Sequence, residues 1–295
     1  MAATGTELAN PESGTPGLPD LEAGTHAGLR AGASATRPPL SWSLLLSPPL
    51  PGWANMALDL ALLEHAERTG HGIVRLYRWD PFALSFGRHE PALRRYDRDA
   101  ITRRGLDVVR RPTGGRAVWH ARELTYAVAA PVGALGGHQE SYHRIHRLIA
   151  AGLARLGAPV ELAPARPAES PGAGACFASA AGGEITAGGR KLVGSAQLRQ
   201  GGAVLQHGSV LLEDDQSLVT EVARSPETPR RPREATLHGL LGRRVAFDEV
   251  AAAIAEVLED TWGPVTRLGT TPAPLARRAE ALGPAFRDPA WTWRR

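Results

Sequence analysis

Apolar positions recur along this chain in two rhythms, one of helices and one of strands, and their alternation lays out the fold. From Asn55 to Arg68 leucines fall at 58, 62 and 63, the spacing of a helix face, and Asn55 stands where an N-cap is expected. Ile73–Trp79 and Phe82–Phe86 read as short strands divided by a turn at Asp80-Pro81. Leu106–Val109 is a further strand that runs into the loop Arg110-Arg111-Pro112-Thr113-Gly114-Gly115-Arg116, and Leu124–Ala129 is extended again. A second helix is expected over 140–156, with Ile145, Leu148, Gly152 and Leu156 along one side.

Past a Pro/Ala/Gly loop at 164–174, three extended runs (184–186, 191–199 and 203–212) are separated by Ala-Gly-Gly-Arg and Gln-Gly-Gly. These are tight-turn signals, because glycine takes positive φ without steric cost. A third helix is expected over 248–258 with Asp248 as its cap, and a short one at 275–282. Strands before a helix and hairpins after it predict an α+β fold with a mixed central β-sheet and flanking helices. Residues 1–40 carry almost no large apolar groups and cannot bury enough surface to offset their ordering entropy, so a disordered tail is expected there. The main domain then spans 41–262, and 263–295 is a short C-terminal extension.

Charge alters this picture little. The net charge of +4 and pI near 9.8 come from basic residues spread along the chain. Their identity is more informative: of 34 basic residues, 33 are arginine, and Lys191 is the single lysine. Cys176 is likewise the single cysteine. One cysteine excludes an intramolecular disulfide framework and any CxxC motif. One lysine excludes the lysine-rich patches used by many nucleic-acid and membrane binders, and neither partner is expected. The apolar run Leu44–Leu46 falls far short of the roughly 20 residues that span a bilayer, and no basic-then-apolar leader opens the sequence. A reduced, cytoplasmic setting follows as the expectation.

Two residues carry candidate chemistry. Cys176 lies in Pro-Gly-Ala-Gly-Ala-Cys-Phe-Ala-Ser, a small-residue loop of the kind on which nucleophiles are placed; its alternative is a small buried hydrophobe. Lys191 is either an ordinary surface lysine or the one site where arginine could not substitute. Arginine cannot be deprotonated and is too forked to act as a compact donor. Together the pair makes sense: a nearby cation lowers a thiol pKa from its usual ~8.5 and raises the thiolate fraction. A Cys–Lys dyad suits acyl transfer through a covalent acyl intermediate. Gly114-Gly115 is either a plain turn or a place where main chain approaches a ligand closely. His120, Gln206 and His207 lie near these elements. The histidines at 138, 143 and 146 are expected on a solvated helix face, and no ligand set for a metal is visible.

The segment 110–126, Arg-Arg-Pro-Thr-Gly-Gly-Arg-Ala-Val-Trp-His-Ala-Arg-Glu-Leu-Thr-Tyr, resembles the Gly-rich signature of the biotin/lipoate protein ligase and octanoyltransferase family. Residues 189–209, Gly-Arg-Lys-Leu-Val-Gly-Ser-Ala-Gln-Leu-Arg-Gln-Gly-Gly-Ala-Val-Leu-Gln-His-Gly-Ser, resemble its lysine-bearing segment. Asn55–Asp59 and Arg75–Trp79 resemble its opening helix and strand. The similarity covers about 42–262, and is greatest to the octanoyl-acyl-carrier-protein:protein N-octanoyltransferases of the Gram-positive type, whose cysteine stands in an Ala-Cys-Phe context like Cys176.

That resemblance implies a biotin/lipoate ligase-like catalytic domain and a ping-pong reaction. Octanoyl-acyl-carrier-protein would acylate Cys176, and a lysine amine of a lipoyl-domain protein (glycine cleavage H protein or 2-oxoacid dehydrogenase E2) would take the acyl group. Lys191 would stabilise the thiolate. Arg110, Arg111, Gly114, Gly115, Arg116, His120, Gly194, Ser195, Ala196 and His207 would bind substrate, and arginines around the mouth would suit acidic partners. Transfer needs no cofactor. An ATP-dependent lipoate ligase, with Mg and with Lys191 on an acyl-adenylate, is the main alternative. An octanoyl amidotransferase between lipoyl proteins and a non-catalytic acyl-binding adaptor are the others.

Overall fold

The strand Glu123–Pro131 is buried along its whole length. Leu124, Tyr126, Val128 and Ala130 enter one apolar core, and Ala127 and Ala129 enter another. A strand apolar on both faces belongs in the middle of a sheet covered on both sides. The computed structural model describes residues 40–164, 183–213, 216–225 and 234–294 and puts it there.

In chain order the elements begin β1 (Trp42–Leu46), α1 (Gly52–Thr69), β2 (Gly72–Tyr77), β3 (Ala83–Phe86), α2 (Ala92–Arg95), α3 (Arg98–Arg103), β4 (Asp107–Arg110), β5 (Val118–His120), β6 (Glu123–Pro131) and α4 (His138–Arg155). They continue with β7 (Glu161–Leu162), β8 (Ile185–Ala187), β9 (Arg190–Lys191), β10 (Val193–Gln200), β11 (Ala203–Leu211) and α5 (Ser217–Glu221). The last are α6 (Leu237–Leu241), α7 (Phe247–Trp262), β12 (Val265–Leu268), α8 (Ala273–Arg287) and α9 (Pro289–Thr292).

The main sheet runs β10-β11-β6-β2-β1-β12. It is mixed: β1 is parallel to β2 and β12, while β6 is antiparallel to β2 and β11. Helices α4 and α7 cover one face, with Ile145, Leu148, Ile149, Leu153, Val250, Ile254 and Leu258 set against the strands. Helices α1 and α8 cover the other, through Met56, Leu60, Leu63, Leu275, Leu282 and Phe286. Two small sheets, β4-β3-β5 and β7-β8-β9, flank it. The expected α+β architecture with flanking helices is therefore what the chain forms.

Several expectations are corrected. Asn55 is no cap: α1 starts at Gly52 after Pro51, and the buried Asn55 carboxamide donates to the carbonyls of Leu50 and Arg78. Asp248 lies in the first turn of α7 rather than capping it, the cap position being Ala246. The segment 263–295, expected as an extension, supplies β12 at the sheet edge and α8 over α1. The expected tail at 1–40, apart from residue 40, and most of the 164–174 loop lie outside the described residues, as does Cys176.

Candidate functional site

The apolar run Met56–Leu63 of α1 is interrupted by Asp59, and the apolar strand β2 by Arg75. Both side chains are fully buried, and Arg75 Nη1 lies 2.7 Å from Asp59 Oδ1. Charges in such a place persist only when paired and fully hydrogen-bonded. Arg75 also donates to Ser47 Oγ, Asn55 Oδ1 and the Asn55 carbonyl. Asp59 Oδ2 accepts from Tyr77 OH and from His207 Nδ1, at 2.8 and 3.0 Å. That bond leaves His207 Nε2 as the acceptor for the Thr113 hydroxyl at 2.6 Å. A buried ion pair thus sets the ring of His207 on β11 and ties it to the loop before Gly114.

A second chain forms on β3, β5 and β6. His120 Nδ1 donates to Glu123 Oε1 at 2.7 Å, and Nε2 is 2.6 Å from Ser85 Oγ. Arg111 Nη1 donates to that same hydroxyl, so the Ser85 proton goes to His120. Burial holds the His120 pKa below its ordinary value against the pull of Glu123. The ring stacks on Trp79 with centroids 3.9 Å apart, and Trp79 Nε1 donates to Thr125.

Between these chains lies a cleft whose apolar wall is Met56, Tyr77, Trp79 and Val118. Arg111, His120 and His207 supply polar groups, and Gly194, Ser195 and Ala196 of β10 complete the wall. A narrow apolar slot with a few fixed polar groups suits a chain-like ligand with a polar end.

Of the expected site residues, Arg111, His120, Gly194, Ser195, Ala196 and His207 line this cleft, and the other described ones do not. Arg110 is not among the lining residues: it is wholly buried and donates to the carbonyls of Gly87, Arg88, Glu90, Trp291, Thr292 and Arg294. Gly114, Gly115 and Arg116 are not among the lining residues but fold around Arg111, whose Nη2 donates to the carbonyls of Gly114 and Arg116. Gly115 has φ +93°, a conformation that favours glycine. Lys191 is buried on β9, with Nζ 2.7 Å from Glu184 Oε1, three residues before Gly194 of the wall.

His146 departs furthest from expectation. It is no part of a solvated helix face but fully buried. Its Nδ1 donates to the Gly183 carbonyl at 2.6 Å, and Nε2 is 2.8 Å from Ser195 Oγ. Burial pushes its pKa down to about 4. Asp59, Arg75, Ser85 and Glu123 were missed as well. For Asp59 and Arg75 the available signal was a lone charge inside an apolar helix or strand run. Among the described residues no three His, Asp or Glu side chains converge as metal ligands, and no helix is long and apolar enough to cross a membrane.

Residues 51–259 match the lipoyl protein ligase A/B catalytic domain. The chain belongs to that family. Within the lipoyl ligase family it is 43% identical over 223 residues to octanoyltransferase LipM of Moorella thermoacetica, covering 70% of this chain and 81% of that one. It is 38% identical over 255 residues to octanoyltransferase LipM of Symbiobacterium thermophilum, covering 81% and 92%. Among solved structures the fold is similar to lipoate-protein ligase A bound with ATP (TM-score 0.73, 23% identity, 86% of this chain and 99% of that one). A putative lipoate protein ligase from T. acidophilum with bound lipoic acid is similar too (TM-score 0.71, 22% identity, 86% and 100%). The expected lipoate-ligase-like fold is thereby confirmed.

Proposed function

We propose that this chain is an octanoyltransferase of protein lipoylation. It takes an octanoyl group from octanoyl-acyl-carrier-protein as a thioester on Cys176 and passes it to a lysine amine of a lipoyl-domain protein. The observation that carries the reading is the extended identity, 43% and 38%, with two octanoyltransferases over most of both chains.

In the first half-reaction the Cys176 thiolate bonds to the acyl carbon and the carrier thiolate leaves, taking up a proton. In the second, the acceptor amine bonds to that carbon, loses a proton, and the carbon–sulfur bond to Cys176 breaks. Lys191 stabilises the thiolate, and its burial against Glu184 is consistent with an ammonium held for one purpose rather than for solubility. The slot beside Met56, Tyr77 and Trp79 takes the acyl chain. No nucleotide is consumed, the acceptors are H protein or E2 lipoyl domains, and the reaction runs in the cytoplasm.

Intact-mass measurement after incubation with octanoyl-carrier-protein tests this directly. Octanoyl uptake without ATP, absent in Cys176→Ser and discharged by a lipoyl domain, is the expected result. Activity that demands ATP and free lipoate and survives Cys176→Ala overturns it in favour of a ligase.

A further inference from the structure

One polar chain crosses the main sheet without a role so far. Gln206 Nε2 donates to Tyr126 OH at 3.1 Å, and Tyr126 OH lies 2.6 Å from Ser195 Oγ. Ser195 Oγ lies 2.8 Å from His146 Nε2, and His146 Nδ1 lies 2.6 Å from the Gly183 carbonyl. A carbonyl only accepts, so Nδ1 carries the proton. The neutral ring then accepts at Nε2 from Ser195, and Ser195 accepts from Tyr126. Every proton in the chain has one direction, and it ends on Gly183.

The sequence makes room for this chain. Ser195, Gly208 and Tyr126 stand side by side on β10, β11 and β6. A Cβ at Gly208 would fall 2.4 Å from Ser195 Oγ and 2.7 Å from the Gly194 carbonyl, so the bare strand position lets Tyr126 reach Ser195. At the other end Gly183, with φ +82°, is pressed on α4, and a Cβ there would lie 2.2 Å from His143 Cε1. The bare position at Gly208 admits the Tyr126–Ser195 contact, and the one at Gly183 admits the ring of His143.

Glu184, the residue after Gly183, holds Lys191. The His146 bond therefore fixes the peptide from which the Glu184 carboxylate extends. We propose that His146 is a positioning residue: by holding the Gly183 carbonyl it sets where Glu184 meets Lys191, and so aims the ammonium during acyl transfer. The transfer half of this statement rests on the octanoyltransferase reading; the positioning half does not.

The lysine census supplies the test. Because Lys191 is the single lysine, [15N]lysine labelling of the full chain gives one side-chain Nζ signal. His146→Leu removes the donor to Gly183 at similar volume, whereas the carboxamide of His146→Asn can restore it. The expected result is a displaced Nζ signal in His146→Leu, returned toward wild type in His146→Asn. Octanoyl loading from octanoyl-carrier-protein should fall about 10-fold in His146→Leu, with KM for the donor unchanged, and recover to within about threefold in His146→Asn, as for loss of one well-placed hydrogen bond. A signal unmoved by His146→Leu, or displaced equally in both variants, overturns the proposal. So does unchanged loading by His146→Leu when the wild type loads. A wild type that takes up no octanoyl group overturns the octanoyltransferase reading instead, and the Nζ signal still decides the positioning.

Discussion

Lys191 Nζ lies 2.7 Å from Glu184 Oε1, with only 3% and 6% of the two side chains exposed. Two charges out of water are held by their geometry, and removing one takes from the other its buried ion pair. Lys191→Arg keeps the charge but brings a planar fork into a slot cut for an ammonium. Octanoyl transfer should fall about 100-fold or more, the lower end of what a positioned proton-exchanging group contributes. Lys191→Met and Glu184→Leu should each destabilise more alone than together. Rates and urea midpoints of the three single variants and of the Lys191→Met/Glu184→Leu double variant check this. Normal turnover by the double variant would reduce the pair to a structural one.

Arg75 and Asp59 form the ion pair beneath the cleft, and their partners occupy nearly every donor of the guanidinium. Arg75→Met leaves a buried carboxylate bonded only to Tyr77 and His207. We expect a loss of about 3–5 kcal/mol by equilibrium urea unfolding, the usual consequence of breaking a buried pair. A loss under about 1 kcal/mol would mean that the helix α1 adjusts to let water in.

Arg110 reads the C-terminus. Its guanidinium donates to the carbonyls of Trp291, Thr292 and Arg294, at 2.8, 3.2 and 3.1 Å. Trp293 packs on Phe86 beside them. Ending the chain at Arg287 removes these acceptors and the Trp293 ring, and should cost about 4 kcal/mol or more from lost charged hydrogen bonds and apolar burial. Thermal melts of the truncated chain give the answer, and an unchanged midpoint would show that water replaces the carbonyls.

The same residue shows what the amino-acid sequence could and could not reveal. Arg110 and Arg111 are neighbours on one motif, and both were expected at the substrate. Successive residues at the end of β4 point to opposite sides, so only Arg111 reaches the cleft, while Arg110 meets a segment over 180 positions away. The long helices and the hairpins were legible because their periodicity is local, as at Ile145, Leu148 and Ile149 or at the Gly188-Gly189 turn. The strands β5 and β12 were not, being short pieces defined by their pairing partners. His146 was misread for a related reason. A histidine among basic residues looks solvated unless its distant partners, Gly183 and Ser195, are known.

His146 also makes a prediction about pH. The apolar core around α4 pushes its pKa down to about 4; the Gly183 carbonyl acts against this, while Lys191 and His143 reinforce it. Tyr142 packs on the ring, and Ser195 and Tyr126 continue its hydrogen-bond chain. In the unfolded chain a histidine titrates near ~6.5. Above that value the ring is neutral in both states and the folded state keeps its full stability. As pH falls below it, the unfolded chain takes a proton that the folded one refuses, so stability drains away until the folded pKa is reached. The gap amounts to about 3 kcal/mol from this one ring. His120, also lowered by burial, adds to the same slope, whereas Asp107, raised by burial, works against it. Urea unfolding at a series of pH values from 7.5 down to 4.5 should therefore show a falling free energy in the wild type and a shallower fall in His146→Asn. Equal slopes in the two proteins would mean that the imidazole is charged in the folded state, and the proton directions along Tyr126, Ser195 and His146 would then have to be reversed.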